Sequence, residues 1–259
     1  MSAVRVPVLM YHRVGEAQNN LERKYCIGAE RFADHMRSLN RAGWRAVSID
    51  DFFAWLDRHM ELPERSFLLT FDDGFLDVYE HAHPVLKAFN WPATMFLVSG
   101  LIGQTDSWPK TGNPVARSYP LLDQHQIDIM QREGWRFHGH SRNHRDLTTL
   151  SETELDEQVS GCREDLLALG LNPRFFAYPY GRFGEREASA VRSAGYEAAF
   201  SVQPGFNRQD VDRMRIRRLD VFGTDTPAML LRKITLGGND GSLTEYARSL
   251  IHRFATRFF

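Results

Sequence analysis

The chain has 259 residues, of which 42% are hydrophobic and 25% charged, the composition of an ordinary globular protein. Its 32 basic and 33 acidic side chains give a net charge of −1, which offers no reason to expect a nucleic-acid partner. Two cysteines, Cys26 and Cys162, are too few for a disulfide framework or for a thiolate metal site.

The sequence carries no targeting signal that we can recognise. Residues 1–7 lack the apolar core of a signal peptide, and no apolar run approaches the roughly 20 residues needed to cross a bilayer. We therefore expect a cytoplasmic protein without a transmembrane segment, unless a leader has been removed.

Strand-like and helix-like segments alternate along the whole sequence. Helices are indicated by apolar residues at helical spacing, by capping boxes at Ser151 and Ser242, and by Pro227 at the first turn of another helix. The predicted strands cover residues 6–11, 44–49, 67–71, 93–98, 135–138, 175–178, 198–202 and 216–221. The predicted helices cover residues 30–40, 51–59, 75–89, 122–132, 151–169, 185–194, a segment from 226 onwards, and 242–254.

Repeated strand–helix units predict an α/β fold with a parallel sheet covered by helices, and both an open sheet and a closed barrel fit that pattern. Polar residues at or just beyond the strand ends favour the barrel, because all such ends ring one face of a barrel. We therefore expect a single domain over residues 1–259, a distorted (β/α) barrel of seven or eight parallel units with a C-terminal helix at about 242–254. The polar strand-end residues are His12, Asp72, Asp73, His140 and Tyr178.

The adjacent carboxylates Asp72 and Asp73 are the strongest chemical signal in the sequence. They end the strand-forming run at 66–71, where two acidic groups repel each other and are costly to desolvate. Such a pair requires a cation or a shared proton. Only one carboxylate is needed as a metal ligand, so the other is free to act as a general base.

Two histidines four positions apart, His140 and His144, supply the neutral ligands that would complete a metal site. On a helical turn this spacing would place both imidazoles on one face. The chain has 10 histidines, so the pair alone is weak evidence, and two solvated histidines in a loop are the simpler interpretation. Together with the aspartates the pair predicts a catalytic metal site, because two histidines and one carboxylate leave positions open for water and substrate.

Three segments resemble the motifs of the polysaccharide deacetylases, carbohydrate esterase family four. Residues 70–74, Thr-Phe-Asp-Asp-Gly, match the first motif, and residues 140–144, His-Ser-Arg-Asn-His, match the metal-binding second motif. Residues 174–181 resemble the third motif, which ends in Pro-Tyr-Gly and lines the active-site groove. The order and spacing agree from about residue 6 to residue 221.

This resemblance implies one divalent metal ion, usually zinc, with cobalt, nickel or iron(II) as alternatives. It implies Asp73, His140 and His144 as metal ligands, Asp72 as the catalytic base, and the backbone N–H of Tyr180 as a donor to the oxyanion. The implied reaction is hydrolysis of an N-acetyl group on a saccharide, releasing acetate.

The resemblance and the long loop at 100–120 also suggest substrate contacts. Tyr178 and Pro179 belong to the groove-lining motif, and Trp108 in the loop could stack on a sugar ring. Loop aromatics such as Trp108 and Tyr119 more commonly cover the core. The basic C-terminal helix could touch a membrane surface, although packing against the barrel is the favoured interpretation.

The sequence departs from the family pattern at two positions. Ala177 stands where the family has an arginine that pairs with the base, so Arg215 or Arg217 is a candidate partner for Asp72, while a solvated basic strand is at least as good an interpretation. The C-terminal histidine that serves as catalytic acid is also missing. His12 offers a substitute. The segment at residues 9–14 that carries it resembles the circularly permuted branch of exopolysaccharide (poly-N-acetylglucosamine) deacetylases, in which the acid histidine comes first.

Several functions remain open on the sequence alone. The leading hypothesis is a metal-dependent N-acetylhexosamine deacetylase. A lipid-linked formamido-sugar or a small cyclic amide would suit the same machinery. A two-histidine, one-carboxylate iron oxygenase conflicts with the regular strand–helix alternation. A catalytically impaired saccharide-binding scaffold is kept open by the missing arginine.

Overall fold

The computed structural model describes residues 4–108, 117–245 and 247–248. The strands in these ranges are β1 (Val8–Tyr11), β2 (Arg13–Val14), β3 (Cys26–Ile27), β4 (Arg45–Val47), β5 (Ser66–Phe71), β6 (Thr94–Leu97), β7 (Arg136–Gly139), β8 (Phe175–Ala177), β9 (Ala198–Phe200) and β10 (Leu219–Asp220). The α-helices are α1 (Ala29–Arg41), α2 (Ile49–Leu56), α3 (His83–Phe89), α4 (Gln124–Arg132), α5 (Glu152–Ala168), α6 (Glu185–Ser193) and α7 (Pro227–Leu236).

Eight strands form one sheet in the order β10-β1-β5-β6-β7-β8-β9, with β4 beside the first half of β5, and every strand pairing in it is parallel. The sheet curls into a distorted barrel surrounded by helices, which confirms the predicted fold class. Closure rests on residues 216–220. Ile216 forms an isolated parallel bridge to Phe200, and Leu219 and Asp220 pair with β1.

The strands are buried on both faces, as expected for a parallel sheet covered by helices. Inward-facing side chains such as Val8, Leu68 and Phe96 pack with aromatic residues of α2, where Phe53 stacks on Phe175 with ring centroids 4.0 Å apart. The outward-facing side chains pack beneath the helices in two further clusters. Alternation along each strand therefore decides which residues face the barrel interior.

The same alternation carries polar residues to one end of the barrel. Val8 faces inward, so His12, four residues further on, falls on the inner face beyond β1. Leu68 faces inward, and Asp72 follows it in the same phase beyond β5. His140 follows the buried His138, whose ring lies edge-on to the inner residue Phe175. Strand ends of a parallel barrel meet at one rim, so these residues converge.

Two helices begin at the capping residues and the proline that the sequence indicates. The predicted capping box at α5 is present: Ser151 Oγ accepts from the backbone N–H of Glu154, and the backbone N–H of Ser151 donates to the Glu154 carboxylate over 3.0 Å. Helix α7 begins at Pro227, with Thr226 as its cap.

Two predicted elements differ in the structure. The predicted helix at 75–89 is divided into a π-helical turn, Val78–Ala82, and α3. The predicted strand at 216–221 is reduced to β10, because its first residues bridge β9 and its last ones pair with β1. The predicted C-terminal helix is helical at residues 243–245 and 247–248, and its remainder lies outside the described residues.

Candidate active site and metal centre

Asp73, His140 and His144 lie together at the rim of the barrel. One ligand atom from each lies within 4.8 Å of the others, and all three residues are buried. Nε2 of His140 is 3.3 Å from Asp73 Oδ1, and Nε2 of His144 is 3.2 Å from the same oxygen. The arrangement of one carboxylate and two imidazoles around a common point could hold a metal ion.

Each ligand is oriented by its own backbone or by a neighbour. Nδ1 of His140 lies 2.8 Å from the carbonyl oxygen of Ala177, an arrangement that turns Nε2 towards Asp73 and is typical of metal-binding histidines. The His140–His144 pair does not lie on a helical turn, contrary to the prediction. Ser141 (φ 63°) and His144 (φ 54°) adopt left-handed conformations, and the backbone N–H of His144 donates to Ser141 Oγ over 3.0 Å.

One buried polar atom of this cluster supports a bound cation. Asp73 Oδ1 is inaccessible to solvent, has no hydrogen-bond partner and lies 3.3 and 3.2 Å from the Nε2 atoms of His140 and His144. Because an unpaired buried polar atom is costly, this oxygen suits a cation ligand. The residues present therefore fit a divalent metal ion.

The electrostatics of Asp73 agree with an ionised ligand. Burial alone would raise the pKa of its carboxyl group, but the charge of His144 and the polar contacts with both imidazoles outweigh burial and hold the pKa well below its usual range. Asp73 is thus a carboxylate throughout the neutral range, as a metal ligand must be.

Asp72 has a different partner, Arg218. The Nη1 and Nη2 atoms of Arg218 donate to Oδ1 and Oδ2 of Asp72 over 2.6 and 2.9 Å, and both side chains are buried. Burial would raise the pKa of Asp72, but the positive charges of Arg218 and His140 lower it below the usual value. Asp72 is therefore ionised and held in a fixed orientation by a bidentate pair.

The prediction that Arg215 or Arg217 might pair with Asp72 is wrong. Arg215 is exposed and pairs with Asp212, and Nη1 of Arg217 donates to the carbonyl oxygen of Pro204. Arg218 was missed, although a signal was available. Ile216 is an inward-facing apolar residue, and period-two alternation places Arg218 on the same inner face.

His12 lies beside the two aspartates, close enough for its charge to lower the pKa of both. The side chain is half-buried, and its ring centroid is 4.9 Å from that of Tyr25. Its charge also acts on Asp220, whose pKa is raised mainly by burial. The structure therefore places His12 at the site, where sequence analysis expected an acid.

The residues of the third motif divide between the core and the surface. Tyr178 is buried on the outer face of the sheet, where its ring stacks on Phe183 and its hydroxyl donates to the Met214 carbonyl over 3.2 Å. Pro179 is also buried. The predicted substrate contacts of Tyr178 and Pro179 therefore find no support, because both side chains are buried.

Tyr180 is the member of this motif that faces the solvent, with 44% of its surface exposed. Its ring centroid is 4.6 Å from that of His144, and its hydroxyl donates to the His144 carbonyl over 3.2 Å. Tyr180 (φ 57°) and Gly181 (φ 66°) form a left-handed turn, and a Cβ atom at Gly181 would collide with Val202.

Trp108 borders the site from the long loop. Its ring centroid lies 4.4 Å from that of His144 and 5.9 Å from that of Phe75. The loop around it is fixed by Asp106, whose carboxylate accepts from the backbone N–H of Tyr119 over 2.6 Å. Trp108 is half-buried, so it covers His144 while part of its surface remains exposed at the rim.

Backbone strain is concentrated at this site. Seven non-glycine residues in the described parts of the chain have a positive φ. Four of the seven belong to the site or to its supporting turns: Asp73, Ser141, His144 and Tyr180. Such conformations cost free energy and are typical of functional sites, where surrounding contacts enforce them.

Comparison with known proteins agrees with this geometry. The family model described as polysaccharide deacetylase matches residues 59–199, more than half of the chain. This chain belongs to the polysaccharide deacetylase family. The match includes the segments that hold Asp72, Asp73, His140 and His144, whereas His12 and Arg218 lie outside it. Membership of this family argues against an iron oxygenase.

Individual relatives of this deacetylase are distant but cover most of it. The poly-beta-1,6-N-acetyl-D-glucosamine N-deacetylase of Staphylococcus epidermidis is 26% identical over 216 residues, 78% of this chain and 71% of the relative. The structure of IcaB from Ammonifex degensii has a TM-score of 0.74 at 26% identity and covers 90% of this chain and 97% of its own. The Streptococcus pyogenes deacetylase PplD, solved in complex with acetate, has a TM-score of 0.77 at 22% identity and covers 90% and 99%.

The deacetylase shows no helix, within its described residues, that is long and apolar enough to cross a membrane.

Proposed function

We propose that this protein removes N-acetyl groups from a β-1,6-linked N-acetylglucosamine polysaccharide. Two kinds of observation support this substrate class: the similarity to the Staphylococcus epidermidis enzyme and to IcaB, and a histidine at the N-terminal strand end in place of a C-terminal one. Hydrolysis adds water across the amide, so that acetate leaves and the sugar keeps a free amine.

We assign Asp73, His140 and His144 as ligands of one zinc ion. A carboxylate oxygen and two imidazole nitrogens are a donor set that zinc favours in catalytic sites, and cobalt, nickel or iron(II) would fit the same donors. When bound, such an ion acts as a Lewis acid on the acetyl carbonyl and makes water more acidic.

The remaining roles follow from charge and position. Asp72 accepts the proton of the attacking water, and Arg218 holds the carboxylate ionised and oriented while it does so. His12 donates a proton to the amine nitrogen as the carbon–nitrogen bond breaks. The backbone N–H of Tyr180 donates to the oxygen that gains negative charge.

One observation supports catalysis above the others: the buried Asp72–Arg218 pair lies directly beside the Asp73 cluster. A missing arginine partner was the reason to consider a non-catalytic scaffold. Arg218 supplies that partner from the segment just before β10, so this reason no longer applies.

The proposal is tested by incubating the zinc-loaded protein with β-1,6-linked N-acetylglucosamine oligomers and measuring released acetate and formate separately. We expect acetate and no formate, with activity lost on chelation and restored by zinc. Replacement of Asp72 by asparagine should keep the metal and lose turnover by about 10²–10⁴-fold. Metal-loaded protein that releases no acetate from any N-acetylated saccharide would contradict the proposed function.

A further inference from the structure

Tyr25 is an exposed aromatic residue that the roles above leave unused. In the described parts of the chain, six large apolar side chains are exposed. Of these six, Tyr25 contacts His12 and Tyr180 contacts His144, with ring centroids 4.9 and 4.6 Å apart. Exposed apolar surface at the mouth of a site is typical of a ligand-binding surface.

The backbone of Tyr25 is fixed against the segment that carries His12. The carbonyl oxygen of Tyr25 accepts from the backbone N–H of Arg13 over 3.0 Å. The next residue, Cys26, pairs with Arg13 in the small β2–β3 sheet. The backbone of Tyr25 is therefore held beside His12 without a ligand, and its ring lies between His12 and Lys24, whose Nζ is 4.9 Å from the ring centroid.

A partly buried polar cluster joins this segment to the loop that carries Trp108. Nε of Arg13 donates to Asp77 over 2.8 Å, and its guanidinium lies 3.2 Å from the centroid of the Tyr119 ring. The hydroxyl of Tyr119 donates to Glu22, three residues before Tyr25, over 2.7 Å. These contacts link the two loops at the rim, so an aromatic surface there is ordered before substrate arrives.

The position of His12 decides which part of the substrate Tyr25 would meet. The amine nitrogen that receives the proton is bonded to the sugar ring, so the proton donor must stand on the sugar side of the scissile bond. Tyr25 packs against that donor and thus borders the sugar ring, not the acetyl methyl group. A tyrosine offers an apolar face for ring carbons and loses little side-chain entropy on binding.

We propose that Tyr25 forms a saccharide-binding subsite on the His12 side of the metal centre, where its exposed ring packs against the substrate sugar. This inference rests on the proposed function and deepens it. A substrate that carries an acetyl group but no sugar ring makes no use of the subsite.

The test compares two substrates in Tyr25→Ala, Tyr25→Phe and the unaltered protein, all zinc-loaded. For an N-acetylglucosamine oligomer we expect Tyr25→Ala to raise KM about tenfold with kcat changed about twofold or less. Tyr25→Phe should restore most of the affinity, since it keeps the ring. For ethyl acetate, whose leaving group carries no ring, kcat/KM of Tyr25→Ala should stay within about twofold of the unaltered protein.

Leu167→Ala is the matched control, because Leu167 is 43% exposed on α5 and has no part in the site. Its KM for the oligomer should not change. Melting temperature and zinc content verify that each variant is folded. Binding of the uncleaved oligomer to Asp72→Asn protein, with and without Tyr25→Ala, gives a second readout by calorimetry and should show the same tenfold ratio, about 1.4 kcal/mol.

The outcomes separate this inference from the proposed function. An unchanged KM and oligomer affinity in Tyr25→Ala contradict the subsite alone. An equal loss of kcat/KM on the oligomer and on ethyl acetate also contradicts it, because a displaced His12 would then explain the effect. Absence of acetate release by the unaltered protein contradicts the function itself.

Discussion

Asp72 and Asp73 are neighbours in sequence, both are buried, and their surroundings differ completely. Both oxygens of Asp72 accept from the guanidinium of Arg218, at 2.6 and 2.9 Å. Oδ1 of Asp73 faces two imidazole nitrogens and has no hydrogen-bond partner. One carboxylate already has its counterion within the protein, whereas the other requires one from outside.

This difference supports the roles proposed for the two carboxylates. A carboxylate held by a bidentate arginine stays ionised and aimed, which suits a base. A carboxylate that completes a cluster of imidazoles suits a metal ligand. Asp73 adopts a left-handed conformation, with φ of 77°, just beyond the end of β5. Four experiments would break or sharpen this contrast.

Removal of the Asp73 carboxylate should have the largest effect. We expect Asp73→Ala to abolish stoichiometric metal binding and to reduce turnover by more than about 10³-fold, since both the ion and its Lewis acidity are lost. Elemental analysis after dialysis measures the first effect and acetate release the second. Asp72→Asn is the control that should keep its metal. Stoichiometric zinc in Asp73→Ala would disprove the ligand assignment.

Replacement of Arg218 tests the other half of the contrast. Arg218→Met leaves the Asp72 carboxylate buried and unpaired, which should destabilise the protein by about 3–5 kcal/mol and lower turnover by about 10²-fold. Denaturant unfolding and acetate release provide the measurements. Arg218→Lys retains the charge without the bidentate geometry, so its stability and turnover should lie between those of Arg218→Met and the unaltered protein. If Arg215→Met were equally harmful, the pairing would not be the cause.

The acid role of His12 predicts a loss of turnover that leaves the metal in place. His12→Ala should lower turnover by about 10²-fold, because the leaving amine then lacks a positioned proton donor. Zinc content should remain stoichiometric, since the proposed ligands are Asp73, His140 and His144. An unchanged rate in this variant would require a different acid.

The smallest effect concerns stability against pH. Burial lowers the pKa of His35 to about 4, against 6.5 for an ordinary histidine, so the unfolded chain binds the proton more tightly. The free energy of unfolding is therefore unaffected by His35 above about pH 6.5. It decreases as the pH falls from 6.5 towards 4, by up to about 1.4 kcal/mol per pH unit for this group. The lowered pKa of Asp72 stabilises the folded protein as well, and this contribution is lost only as the pH falls below the ordinary value of 3.8.

The variant His35→Gln separates these two windows. Glutamine can still meet the Tyr11 hydroxyl and the Asp225 carbonyl, the partners of the His35 ring at 3.0 and 2.9 Å. Unfolding free energies measured from pH 7 to pH 4 should fall less steeply in the variant. An unchanged slope would show that His35 is not the titrating group.

Much of the site could be predicted from the sequence, because its residues follow strand ends. Asp73, His140 and His144 were identified through that placement, and the parallel barrel then brings distant strand ends to one rim. The turn that holds His140 and His144 was not predictable, since left-handed residues in a loop leave no periodic signal. Tyr25 was missed for a related reason: its proximity to His12 arises from the small β2–β3 sheet, which is only two residues long in each strand.

Arg218 lies where the barrel closes with few strand pairings, one isolated bridge to β9 and a two-residue ladder with β1. Between the single bridge at Ile216 and the short β10 ladder, its side chain reaches across the seam to the Ser201 carbonyl at 3.0 Å and to Asp72. The ion pair that orients the proposed base thus also connects β5 to the segment that closes the barrel. A substitution that breaks this pair would alter the base and weaken barrel closure together, so activity and stability should change in parallel at Arg218.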